Sequence, residues 1–175
     1  MRKQQGLLTR ENNKKAAFFK KELGFTLIEL VISLTVIATL STIGIAAFVN
    51  QSKASALQSG AAEFYSALNV AKSRAMSQVK PDNYCTGRTL DGYSVVIDST
   101  TTFKINVNCG GNDFLVSSGK LPANITFASN PDTTSTNFFF GVLTNSVQGS
   151  GKVTIKGFGS SKVIDVDGAG NVKLN

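Results

Sequence analysis

An apolar run of 25 residues, Phe25–Val49, most constrains the fold of this chain; it follows Gly24 and contains a single charged residue, Glu29. As an α-helix the run would be about 37 Å long, enough to cross a hydrocarbon core of about 30 Å. A lone carboxylate inside such a helix is costly to bury. Glu29 is therefore the first candidate for a functional residue.

A hydrophilic leader precedes this run. Residues 1–23 carry seven Lys and Arg against two Glu, which accounts for +5 of the net charge of +7. Basic flanks stay in the cytoplasm, so we predict an N-terminus inside and a C-terminus outside. An ordinary secretory signal is cut after its apolar region, whereas here the natural break lies before it, at Gly24. Because the leader carries most of the net charge and would be removed, this charge is weak evidence for a nucleic-acid partner.

The motif GFTLIEL, from Gly24 to Leu30, joins the basic leader to the apolar helix. This arrangement resembles the type III signal of type IV prepilins and of the related pseudopilins of type II secretion and competence systems. The resemblance implies that a membrane prepilin peptidase cuts between Gly24 and Phe25 and methylates the new amino group of Phe25. The apolar helix would stay in the product.

Cleavage would create a cation at Phe25, one helical turn from Glu29. The two charges could pair within one subunit or between neighbouring subunits, and either pairing lowers the cost of a buried carboxylate. In the family the second pairing is thought to set the vertical register of a subunit that enters a filament. The resemblance therefore implies an assembly role for Glu29. It also implies four partners: the prepilin peptidase, other pilin or pseudopilin subunits, an inner-membrane assembly platform and membrane lipid.

The pattern after Val49 predicts a longer helix with two halves. An apolar stripe at spacings of three and four residues continues the helix, which we predict over Phe25–Gln78. The stripe consists of Leu57, Ala61, Phe64, Leu68, Ala71 and Ala75. The predicted organisation is a cleaved leader at 1–24, a transmembrane and polymerisation half at 25–50, an amphipathic half at 51–80 and a β-rich extracytoplasmic region at 81–175.

Short β-branched runs between turn signals follow Asp82 and predict an antiparallel sheet. The candidate strands are Tyr93–Asp98, Thr102–Asn108, Phe114–Ser117, Ile125–Ala128, Phe138–Leu143, Lys152–Lys156, Lys162–Val166 and Asn171–Leu174. A long helix packed on such a sheet is an α+β fold, the shape expected of a pilin.

Two cysteines, Cys85 and Cys109, lie beyond the membrane segment, in the part predicted to face an oxidising space. A disulfide between them is the natural interpretation. Two buried free thiols are the alternative. A metal site formed by the pair is disfavoured because the chain has no His to complete it.

A second resemblance concerns the end of the long helix. Leu68, Ala71, Arg74 and Ala75 match the minor pseudopilins of type H and the FimT-like minor pilins. In that group the last motif is usually Gly-Arg-Val, whereas this chain has Asn171 in place of the Arg. The resemblance implies a minor pilin or pseudopilin that initiates or caps a filament.

The composition argues against an enzyme. The chain has no His and no nucleophile–base set, metal-spaced cluster or phosphate loop, so we expect a structural subunit without a cofactor or metal. The segment Asp165–Asn171 superficially resembles a calcium loop, but it lacks the downstream bidentate Glu and fits a hairpin turn with Asp-Gly at its tip.

DNA binding is the sharpest rival for the exposed domain, because FimT-like pilins are associated with DNA uptake. The candidate phosphate contacts are Lys152, Lys156, Lys162 and Lys173. Solvated strand faces are the alternative, since Asp165 and Asp167 lie among these lysines. Three consecutive aromatic residues, Phe138–Phe140, place rings on both faces of a strand, where one ring could form a subunit contact.

These observations predict an inner-membrane protein with one transmembrane segment that later joins a periplasmic or extracellular filament. A minor pilin or pseudopilin of a type IV pilus, a type II secretion system or a competence filament is the favoured interpretation. A major shaft subunit, a DNA-uptake receptor and an anchored domain that never polymerises are the alternatives.

Overall fold

The computed structural model describes residues 24–144 and 146–175, with the side chains of residues 42–44 and 46 excepted. Residues 1–23 of the predicted leader therefore lie outside the described residues. Two helices and nine strands follow one another in the described part of the chain. They are α1 Leu27–Met76, α2 Asp82–Cys85, β1 Leu90–Ile97, β2 Thr102–Cys109, β3 Asn112–Lys120, β4 Ile125–Phe127, β5 Asn137–Gly141, β6 Val147–Gln148, β7 Gly151–Gly157, β8 Ser160–Val166 and β9 Val172–Leu174.

The chain divides into two compact units, Met1–Thr42 and Ile43–Asn175. In the described part of the first unit the residues are exposed, including the large apolar side chains of α1. No helix within the described residues has the length and apolarity needed to cross a membrane.

The second unit holds the predicted α+β arrangement. All six residues of the α1 stripe are buried, and they share one core with the strands of the β-rich region. Three aromatic rings of this core pack against one another: the ring of Phe64 on α1 packs edge-on against the rings of Phe103 and Phe127, with centroids 5.2 and 5.1 Å away. The amphipathic pattern thus correctly predicted the face of α1 that packs on the strands.

The strands form two sheets rather than the single sheet that we expected. The first has the order β3-β2-β1-β5-β6 and the second the order β4-β7-β8-β9, and every strand pair is antiparallel as predicted. All eight predicted strands are present within a few residues of their expected bounds. The short strand β6 and the single-turn helix α2 were not predicted.

The long helix ends in a defined cap. Gln78 has a positive φ of 51°, and the backbone nitrogens of Gln78 and Val79 donate to the carbonyl oxygens of Ala75 and Arg74. This pair of bonds is the Schellman pattern, in which a left-handed residue closes the last turn. The hydroxyl of Tyr93 on β1 donates to the carbonyl oxygen of Val79 at 2.6 Å, which ties the helix end to the first sheet.

Candidate functional site

The residues of the predicted cleavage motif lie at the start of α1. Gly24 and Phe25 precede the helix, and the backbone nitrogen of Glu29 donates to the hydroxyl oxygen of Thr26 at 3.3 Å. The nitrogen of Leu30 donates to the carbonyl oxygen of Thr26 at 3.2 Å. Thr26 is therefore the N-cap of the helix, in a Thr-x-x-Glu pattern typical of a capping box. The sequence signal for this cap was present, but our prediction overlooked it.

Glu29 lies in the first turn of α1 and is exposed, as is Phe25. A carboxylate is favoured at this end of a helix, because the unpaired N–H groups there carry a partial positive charge. In the uncut chain the nitrogen of Phe25 belongs to a peptide bond with Gly24, so it has no charge to offer. A cation at Phe25 requires cleavage at this peptide bond.

Four hydroxyl groups among the described side chains in the first half of α1 form hydrogen bonds within the helix. Ser33 and Ser41 donate to carbonyl oxygens four residues earlier at 2.7 Å, and Thr35 and Thr39 donate to those three residues earlier. Such bonds let a hydroxyl lie on an apolar surface at little cost. Glu29 is then the one charged side chain between Gly24 and Gln51.

Cys85 and Cys109 form the predicted disulfide, with their α-carbons 5.4 Å apart. Both residues are fully buried. The bond joins α2 to the end of β2, so it fastens the segment between the long helix and the first sheet.

The four lysines proposed as DNA contacts do not share one face. On β7, Lys152 and Lys156 lie opposite Asp165 and Ser161 of β8, on the face away from the core. Lys162 lies opposite the buried Ile155, on the side of the sheet that faces the core, and lines a cleft with Gln51 and Gln58 of α1. Directly opposed residues in antiparallel strands point to the same side of a sheet, so the predicted stripe includes at most three of the four.

Acidic groups interrupt the remaining three lysines. Asp165 lies opposite Lys152 on one side and opposite Lys173 on the other. Lys156 forms an ion pair with Asp132. Thr154 lies between Lys152 and Lys156 and is buried. Its hydroxyl donates to the carbonyl oxygen of Asp132. The geometry does not give a continuous basic track.

The segment Asp165–Asn171 forms the expected hairpin turn between β8 and β9. The carboxylate of Asp167 accepts hydrogen bonds from the side-chain amide and the backbone nitrogen of Asn171, at 2.9 and 2.8 Å. These bonds, first that from the side chain, lower the pKa of Asp167 below its usual value. Asp167 thus closes the turn.

The three consecutive aromatic residues divide between the two faces of β5. Phe138 and Phe140 are buried in the core, while Phe139 points to the opposite face and is half-buried. This opposite face is the outer face of the first sheet, turned away from the core.

In a comparison with known protein families, residues 19–45 match the model of the prokaryotic N-terminal methylation motif. Neither curated proteins nor solved structures gave a match. The chain therefore carries the type IV pilin-like prepilin signal, which contains Gly24, Phe25 and Glu29. This motif implies cleavage by a peptidase and assembly with other pilins in a filament.

Proposed function

We propose that this protein is a structural subunit of a type IV pilus, a type II secretion system or a competence filament, and specifically a minor pilin or pseudopilin. The observation that carries the proposal is the methylation motif at residues 19–45, because it ends inside α1, whose exposed apolar part up to Val49 contains one carboxylate, Glu29. The protein is then a substrate of a prepilin peptidase rather than an enzyme.

The exposed apolar side chains of α1 support the proposal that other molecules cover this helix. Phe25, Leu27 and Ile28 are 79, 83 and 68% exposed, and large apolar residues continue along the helix to Val49. Apolar area of this extent is stabilised by burial. We propose that the lipid of the cytoplasmic membrane covers it first, with the C-terminal region outside, and that neighbouring subunits cover it in the filament.

We propose that cleavage between Gly24 and Phe25 gives Glu29 its partner. The new N-methylated amine would be a cation at the start of α1, close to the Glu29 of a neighbouring subunit. The paired charges would set the register of the incoming subunit, since a mismatch would leave a carboxylate unpaired in apolar surroundings.

Mass spectrometry of the native protein tests the cleavage step. We expect a mature chain that begins with methylated Phe25. A product that retains residues 1–24, or a cut beyond Val49, would contradict the proposal.

Incorporation into sheared filaments tests the role of Glu29. The Glu29→Gln variant should still insert into the membrane and be cleaved by the peptidase, but it should be absent from filaments. Glu63→Gln, at an exposed position in the second half of the same helix, is the matched control and should assemble normally. Normal assembly of Glu29→Gln would show that charge pairing is not required. The abundance of the chain in these filaments separates a minor subunit from a major one, because a shaft protein must dominate.

DNA contact was the rival role for the exposed domain, and the placement of Asp165 and Asp132 among the lysines disfavours it. A salt-dependent gel shift with the full chain would test this role. A shift that Lys152→Ala and Lys173→Ala abolish would restore it.

A further inference from the structure

The outer face of the first sheet contains a polar pocket, which we call the Phe139 pocket. Its volume is about 280 Å³, and its lining residues are Ser94, Asn108, Asp113, Asn137, Phe139 and Gln148. These residues come from five strands, β1, β2, β3, β5 and β6, and strand register brings them together. Phe139 lies opposite Ser94 and Gln148, and Asn108 lies opposite Asp113.

A glycine fixes the position of the Phe139 ring beside this pocket. Gly92 lies opposite Asn108 on one side and Gly141 on the other, so two adjacent strands lack a side chain at this level. A β-carbon at Gly92 would lie 2.7 Å from Cζ of Phe139, which is too close for two carbons. The aromatic ring therefore rests over the backbone of β1, which the absence of a side chain at Gly92 allows.

Two buried polar atoms at this site have no hydrogen-bond partner among the described residues: the hydroxyl oxygen of Ser94 and the side-chain oxygen of Asn108. Ser94 is only 4% exposed. The amide nitrogen of Asn108 donates to Asp113 at 3.0 Å, which fixes the direction of the amide and leaves its oxygen as a free acceptor. Unpaired buried polar groups are rare because they are costly, so this pair points to a missing polar partner.

We propose that the Phe139 pocket binds one ring of a saccharide. A sugar ring presents hydroxyl donors and acceptors at its edge and an apolar C–H surface on its face. The pocket offers acceptors on Ser94, Asn108 and Asp113, donors on the amides of Asn137 and Gln148, and an aromatic ring on Phe139.

Size and charge support this class of ligand. The volume lies at the low end of ligand pockets, which suits a single ring. Asp113 is the one charged residue in the lining, so a phosphate or another anion is disfavoured. This proposal stands apart from the filament role, because it uses no residue of the methylation motif.

Titration of methyl glycosides into the full chain tests the proposal. The protein is held in a zwitterionic detergent, because detergents with a sugar head group would compete for the site. The probes are the methyl glycosides of glucose, galactose, mannose and N-acetylglucosamine, followed by chemical shifts of the protein. We expect at least one probe to bind with a Kd of about 1 mM.

Three variants separate ligand binding from folding. Phe139→Leu keeps an apolar side chain over Gly92 but removes the ring, and it should weaken binding about tenfold or more. Ser94→Ala should weaken binding while it keeps or raises the melting temperature, because it removes an unpaired hydroxyl. Phe158→Ala is the control, an exposed aromatic residue between β7 and β8, and should bind like the parent chain.

Two results would overturn the proposal. One is the absence of binding for all four probes, which would leave the two buried atoms paired with ordered water only. The other is binding that Ser94→Ala and Phe139→Leu leave unchanged, which would place the ligand elsewhere. If Phe139→Leu fails to fold, Ser94→Ala alone decides between these outcomes.

Discussion

The backbone nitrogen of Glu29 lies 3.3 Å from the hydroxyl oxygen of Thr26, as in the first half of a capping box. The methylation motif thus contains its own helix start signal beside the lone carboxylate. A defined start fixes which residues precede α1, and Phe25 is one of them. We infer that Thr26 helps to hold the proposed amine of Phe25 at a constant place relative to Glu29.

Replacement of Thr26 should therefore loosen the first turn of α1. Thr26→Val keeps the shape of the side chain but removes the hydroxyl, and loss of such a cap costs about 1 kcal/mol. We expect faster hydrogen exchange at the amides of Glu29 and Leu30 in the full chain in detergent. Thr26→Ser retains the hydroxyl and should exchange like the parent chain. Equal exchange rates in the valine variant would mean that the cap contributes nothing.

The disulfide should contribute to the stability of the β-rich region. It closes a loop with a sequence separation of 24 residues, for which the loop-entropy model gives about 3 kcal/mol. Cys85→Ala with Cys109→Ala should lower the free energy of unfolding by about this amount in a urea titration. A reducing agent should destabilise the parent chain and leave the double variant unchanged. An equal response of both proteins to the reductant would contradict the assignment.

Gly119 should tolerate no side chain, because it lies directly opposite Phe103 in the pairing of β2 with β3. A β-carbon there would collide with the ring of Phe103, a ring that also packs against Phe64. Gly119→Ala should destabilise the protein by about 1–3 kcal/mol through overpacking. Gly168 is the matched control, since a β-carbon there meets nothing within 4 Å. Thermal unfolding of the two alanine variants measures the difference, and similar melting temperatures would rule out the collision.

Local patterns were sufficient to predict much of the fold. The six-residue stripe gave the buried face of α1, and runs of β-branched residues gave eight strands. The division into two sheets depends on which distant strands pair, such as β1 with β5, and no local pattern records that choice. The two residues of β6 and the four of α2 are too short to produce a periodic signal.

Only part of the candidate functional residues could be predicted from the sequence. The motif around Gly24 and Glu29 is continuous in sequence, so it could be read directly and was matched by the family comparison. The four lysines were grouped as one possible stripe without an assignment of strand faces: Lys162 is two residues from the buried Ile164, which places both on one side of β8. The residues of the Phe139 pocket come from five strands, and only the pairing of these strands in the folded protein brings them together.

The hydrogen bond from Tyr93 to the carbonyl oxygen of Val79 should stabilise the junction between α1 and the first sheet. Tyr93→Phe removes the hydroxyl and leaves that carbonyl oxygen without its partner. Because a hydrogen bond of this kind contributes about 1 kcal/mol, the variant should be less stable by about that amount near neutral pH. Urea titrations of the two proteins measure this difference.

The same residue gives a dependence on pH. Burial raises the pKa of Tyr93 above its usual value, and the positive charge of Arg74 offsets this in part. The folded protein therefore holds the phenol proton more tightly than the unfolded chain does. The resulting stabilisation is complete below the unfolded pKa of about 10, begins to fall as the pH passes that value, and is lost as the pH rises through the higher pKa of the folded protein. Between about pH 9 and about pH 11 the free energy of unfolding of the parent chain should fall more steeply than that of Tyr93→Phe. Parallel curves of this free energy against pH would show that ionisation of Tyr93 is not coupled to unfolding.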